Sequence, residues 1–238
     1  MIAFRRPSPW AVALLLVGVI VFISAGSWQY DKAQYKRARE SSWSDAQARA
    51  PVDIGSALAG DANGFTRVVA GGTWLPQRYL LDNQVRNGRP GVEVFAPLRL
   101  SSGPVVLVAL GWLAYTDAQR RPPAIEQLAA GTVSVNGLLA PPPAHGLRIG
   151  RSWPEQADYP KLMPYFSLGD IAADLDDRLA ARVLRADGEP GSVYRRDWQP
   201  VDSMPPARHL AYAWQWWFLA IAIVVVFAVV HRKRDSLS

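Results

Sequence analysis

The chain has 238 residues, of which 50% are hydrophobic and 19% are charged, and it contains no cysteine. This composition excludes a disordered chain and a small fold that depends on disulfides. Lys and Arg outnumber Asp and Glu by 26 to 20, but four of the six net positive charges lie in the two terminal tails. The basic excess therefore predicts no nucleic-acid partner.

The first predicted element is an apolar helix at residues 10–28, a stretch without a charged side chain. At about 1.5 Å per residue, its length matches the hydrocarbon thickness of a bilayer. A cleaved signal peptide is the alternative, because two arginines precede the apolar run and Ser24-Ala25-Gly26 offers small residues for cleavage. Helix-forming residues continue from Gln29 to Glu40, which favours an uncleaved helix that extends out of the bilayer.

The next 180 residues, 29–208, have the pattern of a mainly antiparallel β domain with one or two helices. Runs rich in β-branched and aromatic residues predict strands at 67–74, 79–85, 92–100, 105–110, 132–138 and, weakly, 181–184. Asn87-Gly88 together with Pro90-Gly91 is predicted to form the turn before the third strand. Alternation in that strand predicts one buried face near a sheet edge, whereas the strand at 105–110 is apolar throughout and is predicted to be central.

The second half of this region has fewer elements. Residues 114–130 are predicted to be a loop or short helix, and residues 141–164 a long ordered loop. Ser167, with Asp170 three residues later, predicts the start of a helix. The apolar face of that helix is formed by Leu168, Ile171, Ala172, Leu175 and Leu179. Its acidic face is interpreted as solvated rather than as a cation site, because no metal-ligand spacing accompanies Asp170, Asp174, Asp176 and Asp177.

A second apolar helix is predicted at residues 209–230, again without acidic or basic residues after its first position. Arginine and lysine residues precede the first helix and follow the second, which places both termini in the cytoplasm and the intervening domain outside. The predicted organisation is a cytoplasmic tail at 1–9, a transmembrane helix at 10–28, a periplasmic domain at 29–208, a transmembrane helix at 209–230 and a cytoplasmic tail at 231–238.

Catalytic motifs are absent from the sequence. It has no cysteine nucleophile, no His-Glu-x-x-His zinc helix, no phosphate-binding loop and no Gly-x-Ser-x-Gly elbow. Of the three histidines, His231 is interpreted as a solvated charge and His145 as a surface loop residue. The residues therefore give little support to a hydrolase.

His209 differs from the other histidines because it stands at the outer end of the second apolar helix. On a helix it shares a face with Tyr212, Ala213, Trp216 and Ala220. An imidazole above such an aromatic and small-residue face suits a flat apolar cofactor. The alternative is that His209 only caps and anchors the helix at the interface, and the residues alone favour this second reading.

Several motifs of the chain resemble those of the surfeit locus protein 1 family. Gly26-Ser27-Trp28-Gln29, followed by Lys32 and Lys36, is similar to the family's Leu-Gly-x-Trp-Gln-x-x-Arg-x-x-x-Lys, with Lys32 in place of the arginine. The segment 208–217 is similar to Asn-x-His-Leu-x-Tyr-Ala-x-x-Trp, with Ala207 at the asparagine position.

A central block extends the resemblance across nearly the whole chain. Its motifs occur in the family's order and spacing: Gly72-Thr73-Trp74-Leu75, Leu81-Asp82-Asn83, Gly88-Arg89-Pro90-Gly91, Ala96-Pro97-Leu98 and Val108-Ala109-Leu110-Gly111-Trp112. In the last of these, Ala109 and Leu110 replace the Asn-Arg pair of the family, so this chain resembles a divergent bacterial member.

The resemblance implies a non-enzymatic assembly factor for haem-copper terminal oxidases that assists insertion of haem a into the core subunit. The implied location is the bacterial inner membrane, and the implied partners are the oxidase core subunit, other oxidase assembly factors and the lipid bilayer. Competing interpretations are a haem-free scaffold for oxidase subunits and an envelope sensor domain.

Placement at one bilayer depth then predicts the site residues. His209 is the predicted ligand of the haem iron, beside Trp28, Gln29, Tyr212 and Trp216, whereas the basic residues Lys32, Lys36 and Arg208 are available for the propionates.

Overall fold

The structure is a computed structural model that describes residues 6–60, 64–101, 103–116, 124–143, 150, 152–153, 158–200 and 204–232. The chain divides into two compact units. One contains Met1–Ser41 and Pro200–Ser238, and the other contains Ser42–Gln199. The described elements, in chain order, are α1 (Pro9–Ala48), β1 (Val52–Asp53), α2 (Ile54–Leu58), β2 (Thr66–Trp74), β3 (Tyr79–Arg86), β4 (Arg89–Leu100), β5 (Val105–Ala114), β6 (Thr132–Ala140), β7 (Lys161–Met163), α3 (Leu168–Leu175), β8 (Leu179–Ala186) and α4 (Pro206–His231).

The first unit is built from the long apolar helices at the two ends of the chain. Both α1 and α4 are long and apolar enough to cross a membrane. As predicted, α1 does not stop at Trp28 but continues as one helix to Ala48. Contacts between the helices pair Gln29 with His209 and Phe22 with Trp216, so the helices run antiparallel.

The second unit is an eight-stranded sheet with the order β1-β2-β6-β8-β5-β4-β3-β7. An additional pairing between β2 and the end of β4 closes five of these strands into a ring. The prediction of a mainly antiparallel sheet is wrong, because the sheet is mixed: β1 with β2, β3 with β7 and β5 with β8 are parallel pairs. Parallel neighbours need a long crossover connection, and the chain between β5 and β8 supplies one that includes β6 and α3.

The sheet carries apolar side chains on both of its faces. Alternate residues of β4 such as Val94 and Leu98 lie in the core enclosed by the ring, whereas Phe95 packs on the other face with Phe166 and Ile171 near α3. The prediction that the strand at 92–100 lies near an edge is therefore wrong, because β4 pairs with β5 on one side and with β3 and β2 on the other. The central position predicted for 105–110 is confirmed, since β5 is buried almost throughout.

The turn between β3 and β4 is tighter than predicted. Asn87 and Gly88 both have positive φ, at 51° and 74°, as a two-residue hairpin turn requires. Pro90 and Gly91 belong to β4 instead of the turn, where Val85 pairs with Pro90. Proline is tolerated there because this end of the strand is near the hairpin.

The helix start at Ser167 is confirmed, since its side chain accepts a hydrogen bond from the backbone N–H of Asp170 at 3.2 Å. The helix ends earlier than the apolar pattern predicts, because Asp176 adopts a left-handed conformation with φ of 50°. Leu179 consequently begins β8 and does not lie on α3. The region 141–164 was predicted as a loop, but it contains the short edge strand β7, whose three residues are too few for a recognisable alternation.

Candidate functional site

Close packing of α1 on α4 depends on small residues. A Cβ atom on Gly26 would lie 2.4 Å from Nε1 of Trp217, so only glycine admits the indole ring at this position. Ala33 on α1 and Ala213 and Ala220 on α4 are also buried. Small residues allow two helices to approach closely enough for their side chains to meet across the contact.

His209 and Gln29 meet at one end of this helix pair, although 180 residues separate them. The Nδ1 atom of His209 lies 2.8 Å from Oε1 of Gln29. Because an amide oxygen can only accept a hydrogen bond, this contact favours the tautomer with the proton on Nδ1, in which Nε2 presents its lone pair. Nε2 is buried and has no hydrogen-bond partner within the described part of the chain.

This arrangement suits a metal-binding imidazole. Histidine ligands in metalloproteins are held by a hydrogen bond from the ring nitrogen that does not bind the metal, and Gln29 supplies that partner here. A buried polar atom without a partner costs free energy unless a ligand satisfies it. The unpartnered Nε2 atom is therefore the ring nitrogen that a ligand would satisfy.

The predicted aromatic residues divide into two groups. Trp216 is half-buried and packs on Phe22 of α1, with 5.7 Å between the ring centroids. Trp28 and Tyr212 project from the helix pair, with 57% and 43% of their surfaces exposed. Trp216 therefore belongs to the helix contact, whereas Trp28 and Tyr212 are available to a ligand or to lipid headgroups.

The predicted basic residues also differ in their surroundings. Lys32 and Arg208 are exposed, whereas the ammonium group of Lys36 donates to the carbonyl oxygen of Met204 at 2.5 Å. The charges of Lys36 and Lys32 act electrostatically on the imidazole of His209. This end of the helix pair is therefore positively charged and suits an anionic group.

Trp217 and Tyr30 also belong to this site, although no sequence pattern marks them as members. Trp217 fills the space left by Gly26 and packs on Tyr30, with 6.0 Å between ring centroids. The glycine of the Gly26-Ser27-Trp28-Gln29 motif was the available signal, but only the structure identifies its partner.

In the second unit, the strongest polar cluster surrounds Asp174 of α3. The carboxylate forms an ion pair with Lys161 and accepts hydrogen bonds from the hydroxyls of Tyr79 and Tyr159 at 2.8 and 2.6 Å. Burial and the adjacent carboxylate raise the pKa of Tyr79. The residues within the described ranges include no group of three His, Asp or Glu side chains that could hold a metal ion. The Asp174 carboxylate is thus internally satisfied and is not solvated as predicted, whereas Asp176 of the same acidic face is exposed.

The sequence of the chain matches a known protein family. A family model described as the SURF1 family matches residues 16–221, which is most of the chain and includes both ends of the candidate site. No curated protein matches the sequence.

Proposed function

Since the chain belongs to the SURF1 family, which is known for cytochrome oxidase assembly, we propose that it is a membrane-anchored assembly factor that holds haem a for insertion into the core subunit of a haem-copper oxidase. The observation that carries this proposal is the hydrogen bond between Gln29 and His209, which leaves Nε2 oriented as a ligand and without a partner in the described residues. The protein acts as a carrier and scaffold, with no chemical turnover of its own.

The residues of the helix pair have separate tasks in this function. His209 supplies the lone pair for iron, and Gln29 holds the ring in the tautomer that exposes it. Arg208 and Lys32 are exposed cations that pair with carboxylates at the membrane surface. Haem a supplies an iron porphyrin with two propionates and a long apolar tail, which together match a site between charged headgroups and hydrocarbon.

The same proposal includes a bilayer around α1 and α4. Both helices expose large apolar side chains along their length, among them Leu14, Ile20, Val226 and Val229, and hydrocarbon would cover them. In this proposal both termini are cytoplasmic, as the basic residues near the chain ends favour, the sheet unit is periplasmic, and oxidase subunits are the partners.

The absorbance spectrum of the detergent-purified protein, prepared from cells that make haem a, tests this function. We expect a haem spectrum for the wild type and its loss in His209→Gln, with unchanged amounts of protein in the membrane. His231→Gln is the matched control, because it changes the other histidine of α4 at the opposite end of the helix. Arg208→Gln and Lys32→Gln should weaken haem retention only partly, since a charge-assisted contact contributes about 1.5–3 kcal/mol.

Two outcomes would overturn the cofactor role. One is a wild-type protein without haem from cells in which haem a is available, and the other is a full complement of haem in His209→Gln. Either result would leave a haem-free scaffold for oxidase subunits as the function of the chain.

A further inference from the structure

An apolar groove lies between α1 and α4. It has a volume of about 510 Å³ and is lined by Val19 and Ile23 of α1 and by residues of α4 from Trp217 to Val225. Ile23, Ile221 and Val224 are between 45% and 59% exposed, so the groove is open along its length. Its lining offers no charged side chain to a ligand.

Trp217 lies at the end of the groove that is nearer to His209 along α4. The indole of Trp217 lines the groove and also packs on Tyr30, the neighbour of Gln29. Trp217 follows His209 by eight residues, or about 12 Å of helix, and Val225 lies roughly 12 Å farther along. A long chain attached to a ring at His209 would therefore enter the groove at Trp217 and follow it toward Val225.

We propose that this groove holds the isoprenoid tail of the haem, so that the site selects haems that carry a tail over haems that lack one. The inference rests on the proposed function and adds to it the part of the ligand that is recognised. Lipid hydrocarbon is as apolar as the groove. The hydrophobic effect therefore does not favour a tail in the groove over a tail in the bilayer. Selection comes instead from packing of the tail against the fixed side chains of two helices.

A phospholipid acyl chain is the other source of hydrocarbon at this depth. The tail is the favoured occupant because a haem has a polar part for the basic end at His209 and an apolar part for the groove beyond Trp217. The basic end with His209 suits propionates and iron, and the uncharged groove that starts beyond Trp217 suits hydrocarbon. A phospholipid offers a phosphate to the basic end and an acyl chain to the groove, but it has no iron for Nε2 of His209.

The experiment compares haem o with haem b, which carry the same propionates and the same iron but differ in the presence of the tail. Each is titrated into the full-length, haem-free protein in detergent micelles, and binding is followed by the Soret absorbance. We expect the wild type to bind haem o about tenfold more tightly than haem b. His209→Gln should weaken the binding of both.

Variants that fill the groove provide the second arm. Val224→Phe, and Ile23→Phe from the other helix, should remove the preference for haem o while haem b binds as it does to the wild type. Val226→Phe is the matched control, because Val226 is 60% exposed on the same helix and does not line the groove. It should keep the preference.

Equal affinity of the wild type for haem o and haem b would overturn the proposal that the groove binds the tail. Acyl chains would then be its occupants, and the proposed haem function would be unaffected. A preference that persists in both groove variants would also overturn it. Failure of the wild type to bind either haem would instead refute the proposed function itself, and the groove proposal with it.

Discussion

At the residue scale, the contact of Gln29 with His209 favours one tautomer of the imidazole. The amide oxygen lies 2.8 Å from Nδ1, and in the favoured tautomer Nε2 keeps the lone pair that the proposed function assigns to iron. A side chain of similar size without a hydrogen-bonding group would leave the imidazole free to rotate and to exchange tautomers.

We predict that Gln29→Leu weakens haem retention by about 10- to 100-fold, as expected for loss of a partner that orients a metal ligand. The measurement is a haem titration, together with the nitrogen chemical shifts of His209 in the haem-free protein, which report its tautomer. Gln47→Leu is the control, because Gln47 is exposed on the same helix, 18 residues beyond Gln29. Equal losses in the two variants would contradict an orienting role.

In the sheet unit, Trp112 is a buried residue that joins two of the sequence motifs. Its ring is 2% exposed, and its Nε1 donates to the carbonyl oxygen of Gln84 at 2.7 Å. A Cβ atom on Gly91 would lie 2.6 Å from this ring, so the Gly88-Arg89-Pro90-Gly91 and Gly111-Trp112 motifs are two sides of one contact.

For Trp112→Ala we predict a loss of about 3–5 kcal/mol in the free energy of unfolding, because a large ring and a hydrogen bond are removed from a buried site. Chemical denaturation of the purified protein measures the change, and a lower amount of protein in cells should accompany it. Normal stability with a specific loss of oxidase assembly would show instead that Trp112 belongs to a recognition surface.

At the scale of elements, the packing of α1 on α4 depends on the absence of a side chain at Gly26. The indole of Trp217 occupies that space, and a β-branched residue would push the helices apart. The pairs Gln29 with His209 and Phe22 with Trp216 lie on the same contact.

Gly26→Val should therefore lower the thermal unfolding midpoint of the solubilised protein, and most of this penalty should disappear in a Trp217→Ala background. Such non-additivity is the signature of two residues that compete for one space. Ser27→Val is the control, since Ser27 is exposed on the same turn. Additive effects of Gly26→Val and Trp217→Ala would mean that the two sites do not clash.

The contact of α3 with β7 depends on an ionised Asp174. Partial burial opposes ionisation, but hydrogen bonds from Lys161, Tyr159 and Tyr79 outweigh it and hold the pKa of the carboxyl below its usual value. The stabilisation is therefore fully present above the pKa of the unfolded chain and is lost as the pH falls through the lower pKa of the folded state.

We predict that the free energy of unfolding declines below about pH 4, and that Asp174→Asn is less stable at neutral pH and shows less of this decline. Chemical denaturation at a series of pH values measures both effects. Asp176→Asn serves as the control, because Asp176 is exposed and its left-handed conformation accepts asparagine. An unchanged pH profile in Asp174→Asn would contradict this account.

At the scale of the whole molecule, the two terminal helices run antiparallel, so both chain ends leave the helix pair on the same side. If the pair spans a membrane, the termini share one compartment and the sheet unit, which lies between the helices in sequence, is in the other.

Reporter fusions at Ser152 and Ser238 test this organisation. We predict opposite compartment signals, with Ser152 in the periplasm and Ser238 in the cytoplasm, because basic tails are retained inside. An amino terminus that begins at Ser27 in the mature protein, or matching signals from the two fusions, would contradict a chain anchored by two helices.

The sequence by itself determined the elements whose signal is local. Uncharged runs of sufficient length define the two terminal helices. Runs of β-branched residues define most strands, because burial of one or both faces of a strand fixes where apolar residues recur along it. The ordered motifs also pointed to the family that the family model identifies. None of these signals depends on which segments become neighbours.

Only the tertiary structure decided which segments meet. The parallel pairing of β5 with β8 and the interior position of β4 depend on where the chain places later strands in the sheet. Strand alternation in the sequence carries no information about strand direction. Gly26 and Trp217 were visible as residues but not as partners. The hydrogen bond that gives His209 its unpartnered nitrogen joins side chains 180 residues apart, and such a contact exists only once both helices are packed.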